Sequence, residues 1–163
     1  MILQTSAPLP TSLPVPTALY PVLFAPAGTP PTGHHAAPSG RPGERLLGKR
    51  VLIVEDEAMV ALELQYAFED EGAEIVGPAQ TLARALATVS QDHEIDVALL
   101  DVDLAGENIY PVADLLRQRG VPFAFHTGHG SRSEIGALFP GATTFMKPAL
   151  PEALIEHLAG IAR

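Results

Sequence analysis

Ile95-Asp96-Val97-Ala98-Leu99-Leu100-Asp101-Val102-Asp103-Leu104 is the stretch on which the fold turns. Val97 to Leu100 form a short apolar run between polar residues, the pattern of a parallel strand buried on both faces. Such a strand delivers Asp101 to its carboxyl end. In an open α/β sheet the crevice outside the carboxyl ends of the strands is where ligands bind, so an Asp at that point is a functional candidate. Its partners must come from neighbouring strand ends.

Toward the N-terminus, Val51 to Val54 is a second apolar run. The segment after it carries Val60, Leu64, Ala67 and Phe68 at helical spacing before Gly72 ends it. Glu74 to Val76 reads as a short strand closed by a Gly77-Pro78 turn. A helix follows with Leu82, Leu86 and Val89 on its stripe and Thr81 as its cap. Toward the C-terminus, Ile109, Val112, Ala113 and Leu116 mark a helix with Pro111 in its first turn and Gly120 past its end. Val121 to Phe125 is the fourth strand. Ser131 and Glu134 have capping-box spacing and open a short helix stopped by Pro140; Ala142 to Met146 is a fifth strand; Leu154, Ile155, Leu158 and Ile161 belong to a last helix. Alternating strands and helices at this spacing specify an α/β fold, a doubly wound five-stranded parallel sheet, because parallel strands need helical crossovers and right-handed crossovers cover both faces.

Composition divides the chain near Leu46. Ten of the 16 prolines lie in residues 1–42, where Arg41 is the one Lys or Arg and no acidic residue occurs. Residues 1–48 are therefore expected to form a Pro-rich, disordered tail, and residues 49–163 the folded domain. Thr17 to Ala27 is apolar, but it lacks a basic flank and is broken by Pro21 and Pro26, unlike a signal peptide. The next Met, Met59, comes too late to start the fold. The net charge of −9 argues against direct contact with nucleic acid or anionic lipid, and the absence of Cys removes disulfides, thiol catalysis and thiolate metal sites. No apolar run is long enough to span a membrane, and a cytoplasmic location is expected.

The strand ends carry the chemistry. The first ends in Glu55-Asp56-Glu57, the third in Asp101, the fourth in His126-Thr127-Gly128 and the fifth in Met146-Lys147-Pro148. Carboxylates gathered there repel by about 4 kcal/mol per pair at 4 Å and an effective dielectric near 20, so they need a cation. An all-oxygen set suits Mg²⁺. A phosphoryl group on Asp101 would meet that ion, the Lys147 ammonium and the Thr127 hydroxyl, the electrostatic help that phosphoryl transfer requires.

V-L-I-V-E-D-E, L-L-D-V-D-L, a strand-end Thr-Gly and F-M-K-P, in that order, resemble the receiver domain of two-component response regulators over Lys49 to Arg163. The resemblance implies a flavodoxin-like (CheY-like) sheet of order 2-1-3-4-5 and a cis bond between Lys147 and Pro148. Asp101 matches the phosphoacceptor. Asp56 matches a direct Mg²⁺ ligand, Glu55 one acting through water, and Asp103 the position whose backbone carbonyl completes the metal site. Thr127 matches the switch hydroxyl and Lys147 the family's lysine. A histidine kinase or histidine phosphotransfer protein is the implied donor. The chain ends soon after its fifth helix, so the expected protein is a single-domain response regulator that signals through an output protein and is not an enzyme beyond self-phosphorylation and slow autodephosphorylation. Two positions depart from the family. Thr144 occupies the place, three residues before the lysine, where Tyr or Phe is usual. F-A-F-H-T-G-H-G is similar to a stand-alone subgroup of alphaproteobacterial systems with a Phe-Ala-Thr-Gly motif, and His126 replaces its Ala.

Blander and rival readings stand beside this one. An acidic turn after a buried strand can simply begin a helix, Thr127 can form a turn, and Lys147 can be a solvated charge. His126 and His129 have metal-ligand spacing without further soft ligands, and His129 is expected at the rim two residues past Thr127. A receiver-like scaffold that binds partners without phosphorylation is one alternative. A haloacid-dehalogenase-type phosphatase, whose nucleophile motif L-L-D-V-D-L-A resembles, is another. Ala105 stands where that motif prefers Thr or Val, and no acidic pair follows Lys147.

Overall fold

The structure, a computed structural model, describes residues 41, 43–91, 94–128 and 132–163. The expectations for residues 1–40, His129 and Ser131 lie outside the described residues. Five strands form one parallel sheet: β1 (Arg50–Val54), β2 (Glu74–Ala79), β3 (Val97–Leu100), β4 (Phe123–Thr127) and β5 (Thr143–Met146). Their order is 2-1-3-4-5, as the resemblance implied. The crossovers are α1 (Ala58–Glu69), α2 (Leu82–Gln91), α3 (Tyr110–Gln118) and α4 (Arg132–Leu138), and α5 (Pro151–Ile161) follows β5. No helix among the described residues is long and apolar enough to cross a membrane.

Strand alternation sorts the side chains into two layers. Val51, Ile53, Val97, Leu99 and Ala124 pack with Leu64 and Phe68 of α1 and Leu154 and Leu158 of α5. Leu52, Val54, Ala98, Leu100 and Phe125 pack with Val89 of α2, Val112 and Leu116 of α3 and Ile135 of α4. β1 and β3 are buried by both layers, which is why their sequences run apolar without alternation. In α1 the buried face is Ala61, Leu64 and Phe68, with Val60 and Ala67 half-buried at its edge. The Thr81 hydroxyl caps α2 as expected, accepting from the Arg84 amide at 3.2 Å.

Besides one-residue shifts at the starts of β1 and β5, three corrections to the expected boundaries have a physical cause. β2 does not turn at Gly77-Pro78 but runs through it to Ala79. Leu52 faces Val76 while Val54 faces Ala79, so three steps of β2 oppose two of β1 and the extra residue forms a bulge. Gly77 has φ +104°, and a Cβ there would sit 2.9 Å from the Ala79 nitrogen and 3.0 Å from the Ile53 oxygen, so the bulge requires glycine. β4 starts at Phe123 instead of Val121, because Pro122 has no N–H to give the ladder and only its carbonyl pairs, with the Ala98 amide at 3.1 Å. It extends to Thr127, whose carbonyl accepts from the Lys147 amide at 2.9 Å.

The third correction is that the folded part begins before Lys49. Leu46 is completely buried against the α1 and α5 layer. The Glu71 carboxylate accepts from the amides of Gly43 (2.9 Å) and Arg45 (3.2 Å) and pairs with the Arg45 guanidinium. The expected tail at residues 1–48 is thus too long: composition near Leu46 is loop-like, but one leucine and one acid further along the chain tie it down.

Candidate functional site

The register places the site. Val54 pairs with Leu100, and the Asp101 amide donates to the Val54 carbonyl at 2.9 Å, so Glu55 and Asp101 leave adjacent strands side by side. Thr127 pairs with Met146, which sets Lys147 one step beyond the end of β4. Four strand ends thereby present their polar residues at one edge of the sheet.

Lys147 lies at the centre of the group. Its Nζ donates to Asp101 Oδ2 at 2.6 Å and Glu55 Oε1 at 2.7 Å, with Glu57 Oε1 at 3.4 Å. Burial would lower its pKa, but the bonds to Asp101 and Glu55 outweigh this and hold the ammonium above its ordinary value. Glu55 is 1% exposed. Desolvation pushes its carboxyl up to about 7, and the hydrogen bond from Lys147 only partly offsets this because Asp101 shares the same ammonium. Two buried carboxylates against one cation leave an excess negative charge.

The residues present fit a hard divalent cation. Glu55, Asp56 and Asp101 each offer a carboxylate oxygen within 4.8 Å of one another, with no nitrogen or sulfur among them. Asp103 is placed differently from these three. Its carboxylate turns away to accept from the Gly106 amide at 2.6 Å, and its own amide donates to Asp101 Oδ1 at 3.3 Å. Thr127 is buried at the end of β4. The Lys147–Pro148 bond is cis. Thr144, three residues before Lys147, is half-buried, and the adjacent Phe145 meets the His157 ring of α5 edge-on at 5.4 Å.

Two features were not read from the sequence. Residues 103–108 form a small antiparallel hairpin, Asp103 opposite Asn108 and Leu104 opposite Glu107. At its tip Ala105 has φ +53° and donates its amide to Asp56 Oδ2 at 3.0 Å, so the loop after the organising strand is tethered to a candidate metal ligand. The Ala-Gly pair followed by Glu-Asn was the available turn signal. The second is His126, whose ring is buried inside the sheet's α1 and α5 face and not at the rim. Burial, and then the Lys147 ammonium, lower its pKa to about 4 against the opposing pull of Asp101 and Glu57, so the ring is neutral at physiological pH.

Comparison with known proteins decides the family: the response regulator receiver domain matches residues 51–159. The chain belongs to that family. The receiver is similar to the phyllosphere-induced regulator PhyR of Methylorubrum extorquens, 30% identical over 107 residues that make up 64% of this chain and 40% of the relative. It thus spans under half of that regulator's length. Among solved structures it is similar to SdrG from Sphingomonas melonis Fr1, with 38% identity and TM-score 0.60, over 69% of this chain and 95% of that one. The receiver domain of Erythrobacter litoralis PhyR is similar at 27% identity and TM-score 0.59, covering 67% of this chain and 85% of that one.

Proposed function

We propose that this receiver accepts a phosphoryl group on Asp101 from a phosphohistidine of a histidine kinase or phosphotransfer protein, in the cytoplasm, and passes the signal on by protein contact. The observation that carries the reading is the Lys147 ammonium held 2.6 Å from Asp101 Oδ2 within an all-oxygen acidic cluster. In the transfer the donor's P–N bond breaks as an Asp101 Oδ–P bond forms, and the electron pair returns to the donor imidazole, which takes up a proton. Lys147 is already at hydrogen-bond distance from the acceptor carboxylate, so it can follow the charge onto the phosphoryl oxygens with little displacement. Thr127, one strand-end away, supplies a hydroxyl to a second of those oxygens. Glu55, Asp56 and Asp101, with the Asp103 carbonyl, would hold Mg²⁺, which when bound neutralises the carboxylates and the phosphoryl charge. No turnover beyond self-phosphorylation and slow loss of the group is proposed.

The test is incubation with a small-molecule phosphodonor and Mg²⁺, followed by intact mass. One phosphoryl group should be gained by the wild type and none by Asp101→Asn or without Mg²⁺. Absence of any adduct would favour the phosphorylation-independent scaffold, and rapid multiple turnover of the donor the phosphatase.

A further inference from the structure

His126 is 4% exposed, and neither ring nitrogen has a hydrogen-bond partner among the described residues. A buried polar side chain without a partner is rare enough to call for an explanation. The ring follows Ala124 by two residues on β4 and so lies on the α1 and α5 face. Its Nδ1 is 4.0 Å from Glu55 Oε2, too long for a hydrogen bond. Lys147 occupies the other oxygen of the same carboxylate at 2.7 Å, and Asp101 Oδ2 at 2.6 Å. Glu55 is thereby served by a cation that it shares with the phosphoacceptor.

We propose that His126 is a positioning residue for the phosphorylated state: its Nδ1–H donates to Glu55 Oε2 once Lys147 turns to the phosphoryl group. The proposal rests on the assignment of Asp101 as phosphoacceptor. A phosphoryl group adds charge and acceptor oxygens on the Asp101 side of Lys147, which draws the ammonium from Glu55. Glu55 Oε1 keeps the Glu57 amide at 3.3 Å, whereas Oε2 of this buried carboxylate has no hydrogen-bond donor among the described residues and faces His126 Nδ1. A neutral imidazole with its proton on Nδ1 answers both deficits at once, satisfying the carboxylate and the ring. The ring lines a cavity of about 290 Å³ shared with the charged Glu57, Glu63 and Lys147 and the apolar Val60, Leu64 and Pro148. The ring is therefore not close-packed on that side. Phosphorylation would thereby tighten β4 against the end of β1.

Beryllofluoride, which mimics a phosphoryl group on a carboxylate, tests this on the full chain with Mg²⁺. In the adduct, ¹⁵N spectra of the histidines should show His126 Nδ1 carrying a proton shifted downfield by hydrogen bonding. His126→Phe should weaken beryllofluoride affinity by about fivefold, the scale of one buried hydrogen bond, and His126→Asn, whose side-chain N–H can stand in for Nδ1–H, should restore it to within about twofold. Affinity in His126→Phe equal to the wild type, or an Nδ1 without a proton in the adduct, would overturn the proposal. Wild-type protein that takes no beryllofluoride would overturn the assignment of Asp101 and this proposal with it; binding indifferent to residue 126 would overturn this proposal alone.

Discussion

Lys147 carries one positive charge between two buried carboxylates, and that imbalance governs how the site responds to mutation and pH. Removing the ammonium leaves Glu55 and Asp101 uncompensated in a nearly dry setting. Lys147→Met should therefore lose about 3 kcal/mol of stability in metal-free buffer at pH 8. The loss should shrink at pH 5, where Glu55 takes up a proton. For the wild type, the Glu55 carboxyl sits at about 7 when folded against an ordinary 4.5, so the folded chain holds a proton that the unfolded chain releases. Its contribution makes stability fall as pH rises from 4.5 to about 7 and leaves it level above. Urea denaturation of both proteins at pH 5 and 8 measures the difference; a variant as stable as the wild type at pH 8 would show that the ammonium is not compensating these acids.

At the scale of elements, the segment before β1 is a clasp. Leu46 fills the layer between α1 and α5, and Glu71 gathers the Gly43 and Arg45 amides and the Arg45 guanidinium. Leu46→Ala should cost about 3 kcal/mol, as for other buried leucines, measured by thermal or urea unfolding. The Arg45 guanidinium holds Glu71 down at about 2, so the clasp contributes stability above an ordinary carboxylate pKa of 4.5 and loses it as pH falls from there to about 2. Strands β1 and β3 and helices α2, α3 and α5 were legible from periodicity, because their partners lie in repeating layers. The ends of β2 and β4 were not: a bulge at Gly77 and the missing donor of Pro122 moved them, and both depend on the register of a neighbouring strand. Helix α4 is seven residues long and buries Ile135; Arg132 at its start donates to the Thr144 carbonyl at 3.3 Å, and the Leu138 carbonyl at its end accepts from Arg117 at 3.4 Å.

For the molecule as a whole, a net charge of −9 with three carboxylates converging at one sheet edge leads to the expectation that a divalent cation stabilises the fold. With Mg²⁺ tenfold above its Kd, stability should rise by about 1.4 kcal/mol. Tm should climb with the logarithm of Mg²⁺ concentration, and Asp56→Ala should flatten the response. An equal response in both proteins would place the ion elsewhere.

What the sequence by itself determined is the order of strands and helices and the residues that leave the carboxyl ends of the strands, since apolar periodicity and turn chemistry are local properties. Tertiary structure alone decided which of those residues face one another. Lys147 reaches Asp101 across 46 positions and Glu55 across 92, and the Ala105 amide reaches Asp56 across 49. It also decided that His126 lies inside with no hydrogen-bond partner among the described residues and that Leu46 belongs to the core. Burial and pairing are set by the register between strands far apart in the chain, and no local pattern encodes a distance between them.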